Sequence, residues 1–214
     1  MRIRNSSQFI HYIGDEFSWR HKELLELRLL TRSSNIANQR ILIRAGVPLA
    51  YAHWEGFVKA GSELLLNFVS HQNLQNDQLA DPYFAHSVKS QMAMVLESAR
   101  PNTVIEAACF VRDAHNKKAE IRHKNYVDTV SNLSSDVFQQ IAGSLGIDLG
   151  PYRHLYPYID ETIVNNRNKI AHGEFIQLSV SDFHALVDRV ADLMRMYKTD
   201  LENIVISNRF KAAA

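Results

Sequence analysis

The sequence predicts an all-α fold, a bundle of helices in series, on three observations. Only 8 glycines and 5 prolines punctuate the 214 residues, too few for the turn every 8–12 residues or so that an all-β fold needs. Apolar residues recur in steps of three and four through several long segments, the period of a helix with one buried face. The composition, 46% hydrophobic and 22% charged, is that of a soluble globular chain and excludes disorder and collagen-like repeats.

Residues 15–34 read as the first helix, with Phe17, Leu24, Leu27 and Leu30 on one face and Arg28 and Arg32 on the other. Residues 35–45 either continue it or start a second helix. Gly46-Val47-Pro48 reads as a break or kink, because proline suits a first helical turn. Residues 49–69 form the clearest helix, with Ala50, Trp54, Phe57, Gly61, Leu65 and Phe68 on one stripe. The polar stretch 71–82 reads as loop, and residues 83–98 as a helix ended by Arg100-Pro101. Residues 103–110 suit strand or helix equally. Residues 132–145 read as helix with Gly146 as its stop. A further helix covers 159–172 and ends at Gly173. Ser181 is the expected cap of the last one, whose stripe is Phe183, Val187, Val190, Met194, Tyr197, Leu201 and Ile204. Helices of this kind in series make a bundle.

Charge and cysteine narrow the classes of function. With 24 Lys+Arg against 23 Asp+Glu the net charge is +1, so any site for a polyanion must be local. The local basic cluster is Arg112, Lys117, Lys118, Arg122 and Lys124, which reads either as a solvated helix face or as a phosphate-contacting strip. Cys109 has no partner for a disulfide and lies in an apolar run, as a buried structural thiol does. The N-terminus lacks the apolar region of a signal peptide, and no apolar run approaches the ~20 residues of a membrane span. The chain reads as cytoplasmic, with no membrane partner.

The chemistry is concentrated in residues 159–173. Ile159, Ile163 and Ile170 give a core-facing seam, yet Asn165, Asn166, Arg167, Asn168 and Lys169 are five consecutive polar residues, enough to circle the helix. A turn polar on every side cannot be held by a hydrophobic face; it must meet water, a ligand or a polar partner. Arg167 and His172, five residues apart, point about 140° away from each other on one helix. A two-fold pairing of this helix with its copy brings two of each into one cleft. His172 lies in the last turn, where the helix dipole favours a cationic side chain. Read from the residues alone, it is either a cap before a terminating glycine or a functional group.

The segment Arg167-Asn168-Lys169-Ile170-Ala171-His172-Gly173 resembles the Arg-x4-6-His motif of the HEPN superfamily. Trp19-Arg20-His21-Lys22-Glu23-Leu24, Tyr51-Ala52-His53-Trp54-Glu55-Gly56-Phe57-Val58-Lys59 and Ser131-Asn132-Leu133 are similar to a bacterial branch found in toxin-like and phage-defence neighbourhoods. The resemblance implies a HEPN-type bundle with additional N-terminal and inserted helices in one domain, 1–214. Residues 1–46 would be the N-terminal extension, 47–71 and 131–208 the core helices, and 72–130 a variable insert.

The resemblance also implies a homodimeric, metal-independent endoribonuclease, a toxin or anti-phage effector, with RNA as substrate and an antitoxin or other regulatory protein as partner. Arg167 and His172 would be catalytic. Asn168, Lys169 and Glu55 would support the site or contact phosphate. No metal and no cofactor are called for. The alternative is a non-catalytic helical module that binds RNA, a nucleotide or a partner protein through the same turn. Zinc signatures, phosphate loops, dinucleotide glycine patterns and the Gly-x-Ser-x-Gly elbow are absent. Asp113, Glu120 and Arg122 imitate a metal-dependent nuclease motif poorly, with arginine where lysine belongs.

Overall fold

The computed structural model describes residues 2–97, 101–123, 129 and 132–213. Lys124 of the basic cluster and Ser131 lie outside the described residues. Helix α1 (Ser6–Ser33) starts well before the expected 15, because Asn5 caps it by accepting the Gln8 N–H at 2.9 Å. Leu24 is buried, whereas Leu30 is 52% exposed and drops out of the expected stripe. Arg28 pairs with Asp188 at 2.9 Å.

Helix α2 (Ile36–Ser70), capped by Asn35, runs unbroken through Gly46 and Pro48. The expected break there is therefore corrected, and the boundary between 46 and 47 falls inside one helix. Pro48 withholds the N–H that would bond the Arg44 carbonyl. Buried Ile43, Val47, Ala50, Tyr51 and Trp54 on either side hold the helix together regardless. Gly46 serves packing instead: a Cβ there would fall 2.5 Å from Phe183 Cζ and 2.9 Å from Leu27 Cδ2. Gly46→Ala should destabilise the fold by about 1–3 kcal/mol, outweighing a helix-propensity gain of up to ~1 kcal/mol; thermal denaturation reads the difference.

After a 3-10 turn (Asn76–Gln78) in the expected loop come α3 (Asp81–Glu97) and α4 (Pro101–Ala114). The ambiguous 103–110 is thus helix. Arg112 lies in the last turn of α4, and the chain from Lys117 to His123 is non-helical. The reading of that basic cluster as one solvated helix face is accordingly corrected. Cys109 is half-buried rather than buried. Among the described residues no strand forms beyond the isolated bridges Gln75–Lys118 and Leu79–Lys211.

Helix α5 (Ser135–Ser144) is capped by Ser134, and Gly146 follows it with φ +73°. A π-helical turn (Tyr158–Val164) leads into α6 (Asn165–Ala171). Helix α7 (Val180–Ile206) is capped by Ser179, not Ser181, through a reciprocal pair with Asp182.

The core lies where α2 packs against α1 and α7. Every residue of the expected α2 and α7 stripes is buried. An aromatic cluster sits at its centre: Phe138 stacks 5.2 Å from Trp54, 5.0 Å from Tyr152 and 5.7 Å from Tyr197, centroid to centroid. No helix is long and apolar enough to cross a membrane among the described residues.

Candidate functional site

Two unlike devices hold helix α6. At its start, the Asn165 N–H bonds the Asp160 carbonyl five residues back, closing the π turn. The Asp160 carboxylate accepts the Ser135 N–H at 2.7 Å and its hydroxyl at 2.5 Å, so the turn is anchored to the N-terminus of α5. At its end, the Gly173 N–H bonds the Ile170 carbonyl at 3.1 Å and the Glu174 N–H bonds the Lys169 carbonyl at 2.8 Å. With Gly173 at φ +78°, these bonds form a Schellman motif. The sequence reading of Gly173 as a stop holds, and His172 is the C-cap residue.

Between these anchors no side chain of the polar turn is buried, although the turn packs against α2. Asn165 is exposed, Asn166, Arg167, Asn168 and Lys169 are half-buried, and none is buried. Arg167 lies across the ring of Tyr51, its guanidinium carbon 4.5 Å from the centroid. Its Nη1 donates to Asn168 Oδ1 at 2.8 Å. The resemblance's supporting residue Asn168 therefore acts on the arginine directly.

Tyr51 was not singled out by the sequence as a site residue, and it organises the rest. Its hydroxyl accepts the Leu133 N–H at 2.6 Å, and the Glu55 carboxylate, one turn further along α2, acts on it electrostatically. Burial pushes the phenol up to about 12, so it is protonated at neutral pH. Glu55, half-buried, thus lies near the same tyrosine that Arg167 covers.

The second residue missed is Arg44, whose Nη1 donates to the Glu174 carbonyl at 2.6 Å and ties the loop after His172 to α2. Arg44, Tyr51 and Glu55 lie within about 40° of one another around a helix, with Arg40 a further 40° or so from Arg44. That polar stripe is visible in the sequence once α2 is read straight through Pro48. His172 is exposed, as are Gly173 and Glu174. Lys169 gives its carbonyl to the Schellman motif. The structure thus gathers Arg167, Asn168 and Glu55 around Tyr51, and holds His172 at the end of the same short helix.

The other motif segments are structural. Arg20 is buried against the Trp19 ring at 4.3 Å and paired with Glu16. The Glu23 carboxylate lies 2.8 Å from His53 Nε2. A Cβ on Gly56 would approach Arg20 Nη2 to 3.3 Å. The 19–24 segment therefore meets His53 and Gly56 at the α1–α2 contact, whereas Tyr51 of the 51–59 segment turns to Arg167.

Among the described residues, no three His, Cys, Asp or Glu side chains gather closely enough to hold a metal ion. A cavity of about 740 Å³ between α3, α4 and α5 is walled by Phe84, Val88, Met92, Ile141 and Leu145. It shares no residue with the polar turn.

Neither a curated protein nor a solved structure matches the chain. A family model does, over residues 15–203, and its description is RiboL-PSP-HEPN. That span takes in the α1–α2 contact, the Tyr51–Glu55 turn and α6 with its arginine and histidine, so the all-helical fold and the motif agree: this chain belongs to the RiboL-PSP-HEPN family of the HEPN superfamily.

Proposed function

We propose that the chain is a metal-independent endoribonuclease working through 2′-hydroxyl attack, with Arg167 and His172 as its catalytic residues. The observation that supports this best is the support given to Arg167. A guanidinium laid on Tyr51 and bonded to Asn168 is held ready for phosphate oxygens, five residues from an exposed imidazole at a fixed helix end.

In the reaction, O2′ bonds to the adjacent phosphorus, the P–O5′ bond breaks, and one proton leaves O2′ while another reaches O5′. Imidazole moves protons near neutral pH. Arginine neutralises the charge that builds on the non-bridging oxygens. Tyr51 and Asn168 orient the arginine, Glu55 lies near the same tyrosine, and Lys169 adds positive charge to the turn. The divergence of Arg167 and His172 around one helix favours a two-fold dimer whose 165–172 turns face each other, supplying both groups to one phosphate.

The test is end-group analysis of cleaved RNA in excess EDTA. The expected products carry a 2′,3′-cyclic phosphate and a 5′-hydroxyl, and a single 2′-deoxy substitution at the cut site blocks cleavage there. Products with a 5′-phosphate, or activity lost to the chelator, would refute the reading.

A further inference from the structure

Phe175 is 86% exposed, more than any other large hydrophobic side chain among the described residues. An aromatic ring left in water contributes nothing to the core, and a floppy loop would account for it. This loop is not floppy. The Glu174 N–H is bonded to the Lys169 carbonyl at 2.8 Å and the Glu174 carbonyl receives Arg44 Nη1 at 2.6 Å. Both faces of the residue before the phenylalanine are thus fixed, one by α6 and the other by α2.

The ring's position relative to the chemistry is short and constrained. Three residues separate it from His172, at most about 11 Å of chain, and the intervening Gly173 is locked at φ +78° by the Schellman motif. Its charged neighbours in the 167–178 segment are Arg167, Lys169 and the single acid Glu174, with the His172 imidazole between Lys169 and Glu174 and Arg44 bonded to the loop itself. An apolar protein partner would ask for further exposed apolar side chains in that segment. Here Ile170, Ile176 and Leu178 are instead packed against the core. A lone exposed aromatic among cations, on a fixed backbone, is what a single-stranded nucleic acid uses: the cations track phosphates and the ring takes a base.

On the ribonuclease reading above, we infer that Phe175 is a stacking platform for an unpaired base next to the scissile phosphate, which makes single-stranded RNA the substrate class at this site. A duplex offers no free base face there.

The experiment measures binding of a mixed-sequence oligoribonucleotide, 2′-O-methylated throughout so that it is bound but not cut, as a single strand and as a duplex. Phe175→Ala should weaken single-strand binding about tenfold, within the roughly five- to 150-fold that one lost stack implies. Duplex binding should not change. Phe175→Trp should bind as wild type, and Phe175→Leu, which keeps bulk but loses the π face, should be as weak as alanine.

Equal affinity of Phe175→Ala and wild type, wild-type behaviour of Phe175→Leu, or equal losses on single strand and duplex would each overturn the inference. So would conversion of a dimer to a monomer by Phe175→Ala on sedimentation, which would make the ring a subunit contact. Cleavage of unmodified RNA by wild type but not by His172→Ala keeps the ribonuclease reading standing in all those cases. Failure of wild type to bind or cut RNA would remove the reading and the inference together.

Discussion

His172→Ala should lower the rate of RNA cleavage by about 10²- to 10⁴-fold, the usual contribution of a group that moves a proton in the transition state. Arg167→Ala should cost a similar factor, about 10²–10³, since it removes charge and donors aimed at the phosphate. Circular dichroism should show both variants as helical as wild type: His172 is exposed and Arg167 half-buried, so neither lies in the core. Arg167→Lys should recover little, because an ammonium offers neither a planar face to Tyr51 nor a fork to phosphate. Mixing the two alanine variants tests the two-fold arrangement. A mixed dimer holds one intact Arg167 and one intact His172 in its cleft and should regain measurable activity; no recovery would confine each site to a single chain. Full activity in either single variant would remove these residues from the mechanism.

Trp54→Ala should be the most damaging single change to stability, costing about 3–5 kcal/mol. The ring is fully buried and packs against Phe138, and edge-on against Tyr197 at 6.4 Å. Its loss opens a void between α2, α5 and α7. For a chain of this size each kcal/mol lowers the melting temperature by roughly 2–4 °C, so the shift is readily seen by calorimetry. Trp54→Phe should be much milder. The indole N–H is buried with no hydrogen-bond partner among the described residues, so phenylalanine loses packing volume but no polar contact. Equal effects of the two substitutions would mean that the N–H has a partner after all.

The sequence reveals the buried half of this molecule more readily than its site. Stripes such as those of α2 and α7 repeat over many residues, so burial imposes a period that survives local irregularity. Leu30 shows the limit of that logic: it has helical spacing, but the end of α1 has no neighbour there to cover it. Gly46 and Pro48 misled for a related reason. Both are breakers in isolation, and tertiary packing on Phe183 and Leu27 reverses the local preference of the first. Asn5, four residues before Phe9, the first buried hydrophobic of α1, announces its helix too early for a pattern of apolar spacing to notice.

At the site, the polar turn 165–169 and the stop at Gly173 could be read directly, because each departs from the pattern around it. Tyr51 could not. On α2 it counts as one more aromatic of a buried stripe, and only its hydroxyl's contact with Leu133 and its ring's contact with Arg167, both distant in sequence, reveal its part. Arg44 was hidden behind the supposed break at Pro48. The π turn before α6 leaves no mark in composition at all; it follows from Asp160 being held by Ser135 while Ile163 and Ile170 must both face the core.

That brief helix α6 has seven residues, well below the ~12–15 at which a helix persists in water unaided. Its order is borrowed from the π turn at one end, the Schellman loop at the other and the tyrosine beneath its arginine. The π turn and the tyrosine belong to the core, but no residue of α6 itself is buried, so on the ribonuclease reading the segment with Arg167 and His172 opens at less cost than the bundle. Activity in such a protein is switched most cheaply through that small equilibrium. If the chain is the ribonuclease proposed above, a molecule that gripped the opened segment would silence it without unfolding the bundle, and a bound RNA strand, by fastening the same segment, would draw it into its working shape.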